Sequence, residues 1–108
     1  MTSQKRDRVL LAEITGVARR LARGRPLTDA EQRDAAAMLS QVAKGRADLL
    51  AESAGLAIGT HEGDADEARH LQAAQLCIDA GADRSLIPHW IEEGRRRAGS
   101  PAAAPRAG

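Results

Sequence analysis

The chain has no phenylalanine and no tyrosine, and Trp90 is its one aromatic of the Phe/Trp/Tyr class. Its core must therefore come from aliphatic side chains and from 23 alanines. Alanine buries little area, but it favours helices and lets them approach closely. β-Branched and aromatic residues, which favour strands, are sparse. Cys77 is the single cysteine, which excludes an intrachain disulfide and a cysteine-rich metal site. No stretch approaches the ~18 consecutive apolar residues of a membrane span. The opening segment MTSQKRDRVLLAEITG lacks the apolar run of a signal peptide. The expected location is the cytoplasm, away from membranes. A length of 108 residues bounds the chain to one domain.

Lysine is nearly absent as well. Lys5 and Lys44 stand against 14 arginines. Guanidinium groups suit phosphate, but a GC-rich bacterial genome accounts for arginine, alanine, glycine and proline together. The formal net charge of +1 gives no overall field to attract nucleic acid. Locally the charge is uneven: residues 1–25 carry +5, 26–60 carry −2, 61–83 carry −5 and 84–108 carry +3. Basic ends around an acidic middle fit antiparallel helices that attract one another.

The sequence is rich in helical rhythm. Leu10, Leu11, Ile14, Val17, Ala18 and Leu21 form one stripe, which predicts a helix over 3–23 closed by Gly24 and Pro26. Thr28 and Glu31 form a capping box that starts a second helix, with Ala35, Met38, Leu39 and Val42 on its apolar face. Gly45 is a possible stop before a third helix over 46–58 closed by Gly59. The apolar rhythm runs on past Gly45, however, so one continuous or kinked helix is the expectation. Asp64 and Glu67 predict a second capping box and a helix to Gly81. A last helix starts near Asp83 or Ser85, with Pro88 in its first turn and Leu86, Ile87, Trp90 and Ile91 on its apolar side. The expected fold is all-α: a compact four- or five-helix bundle over 1–98, with 99–108 a disordered tail. An offset of 36 residues aligns Thr28 with Asp64, Glu31 with Glu67 and Gly45 with Gly81. Capping boxes and terminal glycines are too generic to make this a repeat.

Three places invite a functional reading. Glu67 and His70 stand in a Glu-x-x-His arrangement, which puts both side chains on one helix face as di-iron bundles require. A single such motif would need a dimer to complete a metal site, and first-turn acids complementing the helix dipole explain these residues more simply. Arg95, Arg96 and Arg97 could grip phosphates. Glu92 to Arg96 and Glu93 to Arg97 are also favourable i,i+4 pairs, and the structural reading is preferred. Trp90 is expected to be buried in a chain with no companion aromatic; if exposed, with Arg84 and His89 nearby, it would mark an interaction hot spot. Cys77, on an apolar face, reads as a buried thiol rather than a nucleophile.

Residues 68–98 have the outline of a helix-turn-helix. The phrase Trp90-Ile91-Glu92-Glu93-Gly94-Arg95 resembles the second-helix ending of excisionase-type domains, which implies DNA binding. The segment beyond Arg95 offers no strands for the wing those domains carry. The stretch from Leu49 to Ala98 resembles short helical proteins of high-GC actinobacteria, which implies no activity. No Ser/His/Asp set, phosphate-cradling loop or glycine-rich dinucleotide motif is present. The expected function is therefore that of a small non-enzymatic accessory or regulatory protein, without cofactor. It would act through contacts to a protein partner or a second copy, with Arg84, His89, Trp90, Arg95, Arg96 and Arg97 as candidate contact residues. The alternatives are a DNA-binding regulator using residues 68–98 and a dimeric metal-binding bundle.

Overall fold

The computed structural model describes residues 2–99, and the tail expected over 99–108 lies almost wholly outside them. The all-α expectation holds: among the described residues, five α-helices and one short 3-10 turn form a bundle. Helix α1 (Thr2–Leu21) turns Ile14 and Ala18 fully inward, with Ala22 just beyond its end. Helix α2 (Asp29–Ala43) starts at the predicted box. The Glu31 N–H donates to Thr28 Oγ1 at 3.1 Å, and the Thr28 N–H donates to Glu31 Oε1 at 2.9 Å. Arg25 closes on the same carboxylate, and the two contacts hold the Glu31 carboxyl down at about 2.

The expectation of one helix through Gly45 is corrected. Lys44 and Gly45 are both left-handed, with φ of 54° and 79°. The Lys44 N–H turns back to the carbonyls of Ser40 and Gln41, and the Arg46 N–H to that of Ala43. This is an αL termination, with glycine where a side chain would be strained. The apolar rhythm continues because the helices on both sides of the break feed one core. Leu39 and Ala43 lie before it, and Leu49 and Leu50 after it.

Helix α3 (Ala47–Thr60) runs through the middle of the bundle, and from Leu49 to Thr60 none of its residues is exposed. Contrary to expectation, Gly59 does not close it but lies inside it against another helix. Helix α4 (Glu67–Asp79) starts later than predicted, and the Asp64/Glu67 box does not form. Asp64 is engaged in the preceding turn instead. Its carboxylate accepts from the Asp66 N–H at 2.9 Å and contacts His61 Nδ1 at 2.7 Å. After α4, Gly81 takes φ of 116°, and Asp83 caps the 3-10 turn Arg84–Leu86 by accepting from the Ser85 N–H. Helix α5 (Ile87–Ala98) comes next, with Pro88 in its first turn as predicted.

Helices α1 and α4 pack on α3, and α2 lies across α1 and α4. Ile14, Leu39, Leu76 and Cys77 are the largest fully buried side chains. Each buried Ile or Leu contributes ~1.5–3 kcal/mol of hydrophobic stabilisation. A polar link crosses this core: Thr15 Oγ1 meets Ser53 Oγ at 2.9 Å, and Ser53 in turn hydrogen-bonds Cys77. Helix α5 packs chiefly on α3, and there the seam is made by glycines. Gly55 faces Trp90, Gly59 faces the Ile91 backbone, and Gly94 faces Thr60 and Leu56. The two helix backbones meet almost directly, so α5 needs few large side chains to hold its place.

Candidate functional site

A groove of about 600 Å³ opens between α1, α3 and α4. Small and apolar residues form part of its lining: Ala18, Leu56, Ala57 and Ala73. Thr15 and Arg19 border it from α1, and Ser53 and Thr60 from α3. The turn of residues 61–66 closes one end, with His70 of α4 beneath it. The rings of His61 and His70 stack in parallel, their centroids 3.4 Å apart and their planes within 1°. His70 is only 5% exposed. Burial lowers its pKa, and the nearby charges of His61 and Arg19 add to that, against Asp64 and Asp66. The neutral imidazole is thereby favoured. Asp64 is held below the usual carboxylate range, chiefly by its hydrogen bond with His61.

Glu67 is half-buried at the start of α4 and takes no part in the histidine stack. Among the described residues, no three His, Cys, Asp or Glu side chains are gathered where they could hold a metal ion. Cys77 is buried as expected, and burial pushes its thiol up to about 11.

The structure does not gather the singled-out residues into one patch: Arg84 lies beside α2 and the end of α4, while His89, Arg95 and Arg96 share a depression on α5. Arg84 and His89 are exposed. Trp90 is half-buried rather than fully buried, a correction to the expected core anchor. Its Cβ sits where Gly55 leaves room, and its ring meets the edge of His89 at 4.8 Å. The arginine run is exposed but paired. Arg95 forks onto Glu62 at 2.9–3.1 Å and reaches Glu92 at 2.7 Å. Arg96 and Arg97 both close on Glu93. The Glu93–Arg97 pair is the one predicted. Glu92 pairs with Arg95 at i,i+3 rather than with Arg96, because Arg95 is drawn to the side where Glu62 lies.

A row of cations outside any ion pair among the described residues lies on α1. Lys5, Arg8, Arg19 and Arg20 lie along the outward stripe of α1, with Val9 and Ala12 exposed between them. None of these four joins an ion pair among the described residues; Asp7, on the side of the helix, pairs with Arg46 at 2.8 Å. A shallow depression lined by Lys5, Val9, Leu10, Glu13 and Lys44 continues the stripe towards the α2–α3 break. The sequence shows the excess of positive charge in residues 1–25. A wheel drawn at 100° per residue places Lys5, Arg8, Val9, Ala12, Arg19 and Arg20 opposite Ile14 and Ala18. The groove leaves a weaker signal, since Thr15, Ser53 and His70 come together only through tertiary packing. The chain matches no protein-family profile, no curated protein and no solved structure.

Proposed function

We propose that this chain is a small non-enzymatic accessory protein that binds an acidic protein segment along the outward stripe of α1. The observation that carries the reading is the row of unpaired cations around an exposed apolar centre. Val9 is 58% exposed, with Lys5 and Arg8 beside it and Arg19 and Arg20 further along the helix. At 1.5 Å per residue, the stripe from Lys5 to Arg20 is about 22 Å long, enough for a partner helix of several turns. Carboxylates on such a partner would meet the cations, and an apolar side chain would cover Val9. Charge complementarity of this kind speeds encounter and fixes register, while the apolar contact supplies the central burial.

A duplex phosphate backbone would use the cations but gain little from Val9 and Ala12. The α5 arginines suit nucleic acid less than their run suggests, because each already faces a glutamate. The test is capture from extract of the source organism with and without nuclease, comparing the immobilised full chain with its Val9→Glu and Arg8→Glu variants. A specific protein is expected to be retained by the wild type and held at least roughly tenfold more weakly by each variant, with unchanged circular dichroism. Capture that vanishes with nuclease, or that neither substitution weakens, would overturn the reading.

A further inference from the structure

The His61–His70 stack shares only Arg19, at the groove's edge, with the α1 surface and is not explained by it. His70 is only 5% exposed, and no hydrogen bond satisfies its ring among the described residues. Its cover is the parallel ring of His61 at 3.4 Å. We propose that this stack is an acid-released latch on the end wall of the groove between α1, α3 and α4. With His70 neutral, the two flat rings attract by dispersion and seal the turn of residues 61–66 onto α4. When His70 takes up a proton, its charge is buried against the His61 ring at contact distance, where burial and the charge on that side both oppose it, and the stack parts.

The surroundings decide which side of the turn moves. Arg19 faces His70 from α1, and its positive charge opposes protonation there. From α3, the groove receives the hydroxyls of Ser53 and Thr60 and no titratable group. From the turn come His61, Asp64 and Asp66, and from α4 itself Glu67 lies one helical turn before His70. Asp64 is bonded to His61, and Glu62 is bonded to Arg95. Both carboxyls are held below their ordinary values and stay ionised in mild acid. The turn therefore keeps its internal His61–Asp64 bond, its tie to α5 and the backbone bonds from the Glu67 and His70 N–H groups to the Asp64 and Asp66 carbonyls, and loses only the ring contact that folds His61 over His70. Gly63, with φ of 78°, gives the turn a residue that tolerates rearrangement. Release would widen the groove at that end and expose His70 to water.

The experiment is a proton NMR titration of the full chain from pH 8 to 4, following the histidine Cε1–H signals and the backbone amides of residues 62–66. In the wild type, the Gly63 and Asp64 amides are expected to shift with the midpoint of His70. In His61→Phe, a flat ring remains but its charge is gone. There the His70 midpoint is expected to rise by about half a pH unit or more, and the turn amides to stay put as His70 titrates. His61→Gln, which removes the ring, is expected to leave the turn amides in their acid positions at every pH. The latch is refuted by a His70 midpoint that His61→Phe leaves unchanged, or by turn amides that ignore His70 in the wild type.

Discussion

Gly59 has no space for a methyl group. A Cβ there would strike the Ile91 carbonyl oxygen and lie 2.9 Å from the Arg95 amide nitrogen. Both are backbone atoms, so no rotamer change relieves the clash, and α5 must move off α3. Alanine gains about 1 kcal/mol of helix propensity over glycine, while overpacking a tight contact costs ~1–3 kcal/mol and more where backbone is displaced. The clash wins, and Gly59→Ala is expected to lower stability by about 2 kcal/mol in urea denaturation. Gly16 is the internal contrast. It lies in α1 at an ordinary helical φ, and a Cβ there would meet only Arg20 at 3.7 Å. Gly16→Ala should therefore raise stability by about 0.5–1 kcal/mol. If Gly59→Ala raised the denaturation midpoint as Gly16→Ala is expected to, the glycine seam would not be what seats α5. The sequence places Gly55 and Gly59 four apart, but nothing in it distinguishes a helix stop from a contact glycine. That distinction depends on the helix lying opposite.

At the scale of elements, the two capping boxes separate the legible from the illegible. Thr28 and Glu31 form theirs because Glu31's other partner, Arg25, leaves its Oε1 still accepting from the Thr28 N–H. Asp64 and Glu67 have the same spacing and do not, because His61 lies three residues before Asp64 and takes its carboxylate. Helix existence, the α1 face and the Gly81 break come from periodicity and turn chemistry; the α2 face does so only in part, since Met38, expected on it, is 54% exposed while Ala36 and Ala43 are buried. The split at Gly45 escapes the periodicity, because rhythm reports which core a helix feeds, not whether the chain is continuous. The stripe on α1 is available from helical spacing alone; the groove is not, since it joins three helices. Thr28→Ala is thus expected to cost about 1 kcal/mol. Glu67→Ala, which removes no cap, should cost under about 0.5 kcal/mol. Equal losses in denaturant midpoints would mean that the second box forms in solution after all.

For the molecule as a whole, stability should fall on both sides of neutrality, for different reasons. Asp7, Glu31, Asp48, Glu62, Asp64 and Glu93 all have lowered pKa values through hydrogen bonds. The stability they lend is present above their unfolded values near 4 and is lost as acid protonates them. They are largely exposed and solvent screens them, so this acid arm is shallow. His70 acts earlier, because its depressed pKa makes the unfolded chain bind the extra proton first, and stability declines once pH falls below about 6.5. The alkaline arm belongs to Cys77. Its thiol is 1% exposed, and burial raises its pKa from 9.0 to about 11. Between those values the unfolded chain releases a proton that the folded chain retains, so stability falls as pH rises. Complete ionisation of the unfolded thiol would cost the fold about 2–3 kcal/mol by pH 11. Removing the sulfur abolishes the titration but also some packing, so the slope matters, not the absolute stability. In urea melts between about pH 8 and 10.5, the wild type is expected to lose stability steadily, and Cys77→Ala to show a much flatter line from a lower starting point. Parallel slopes for the two proteins would assign the alkaline arm to other groups.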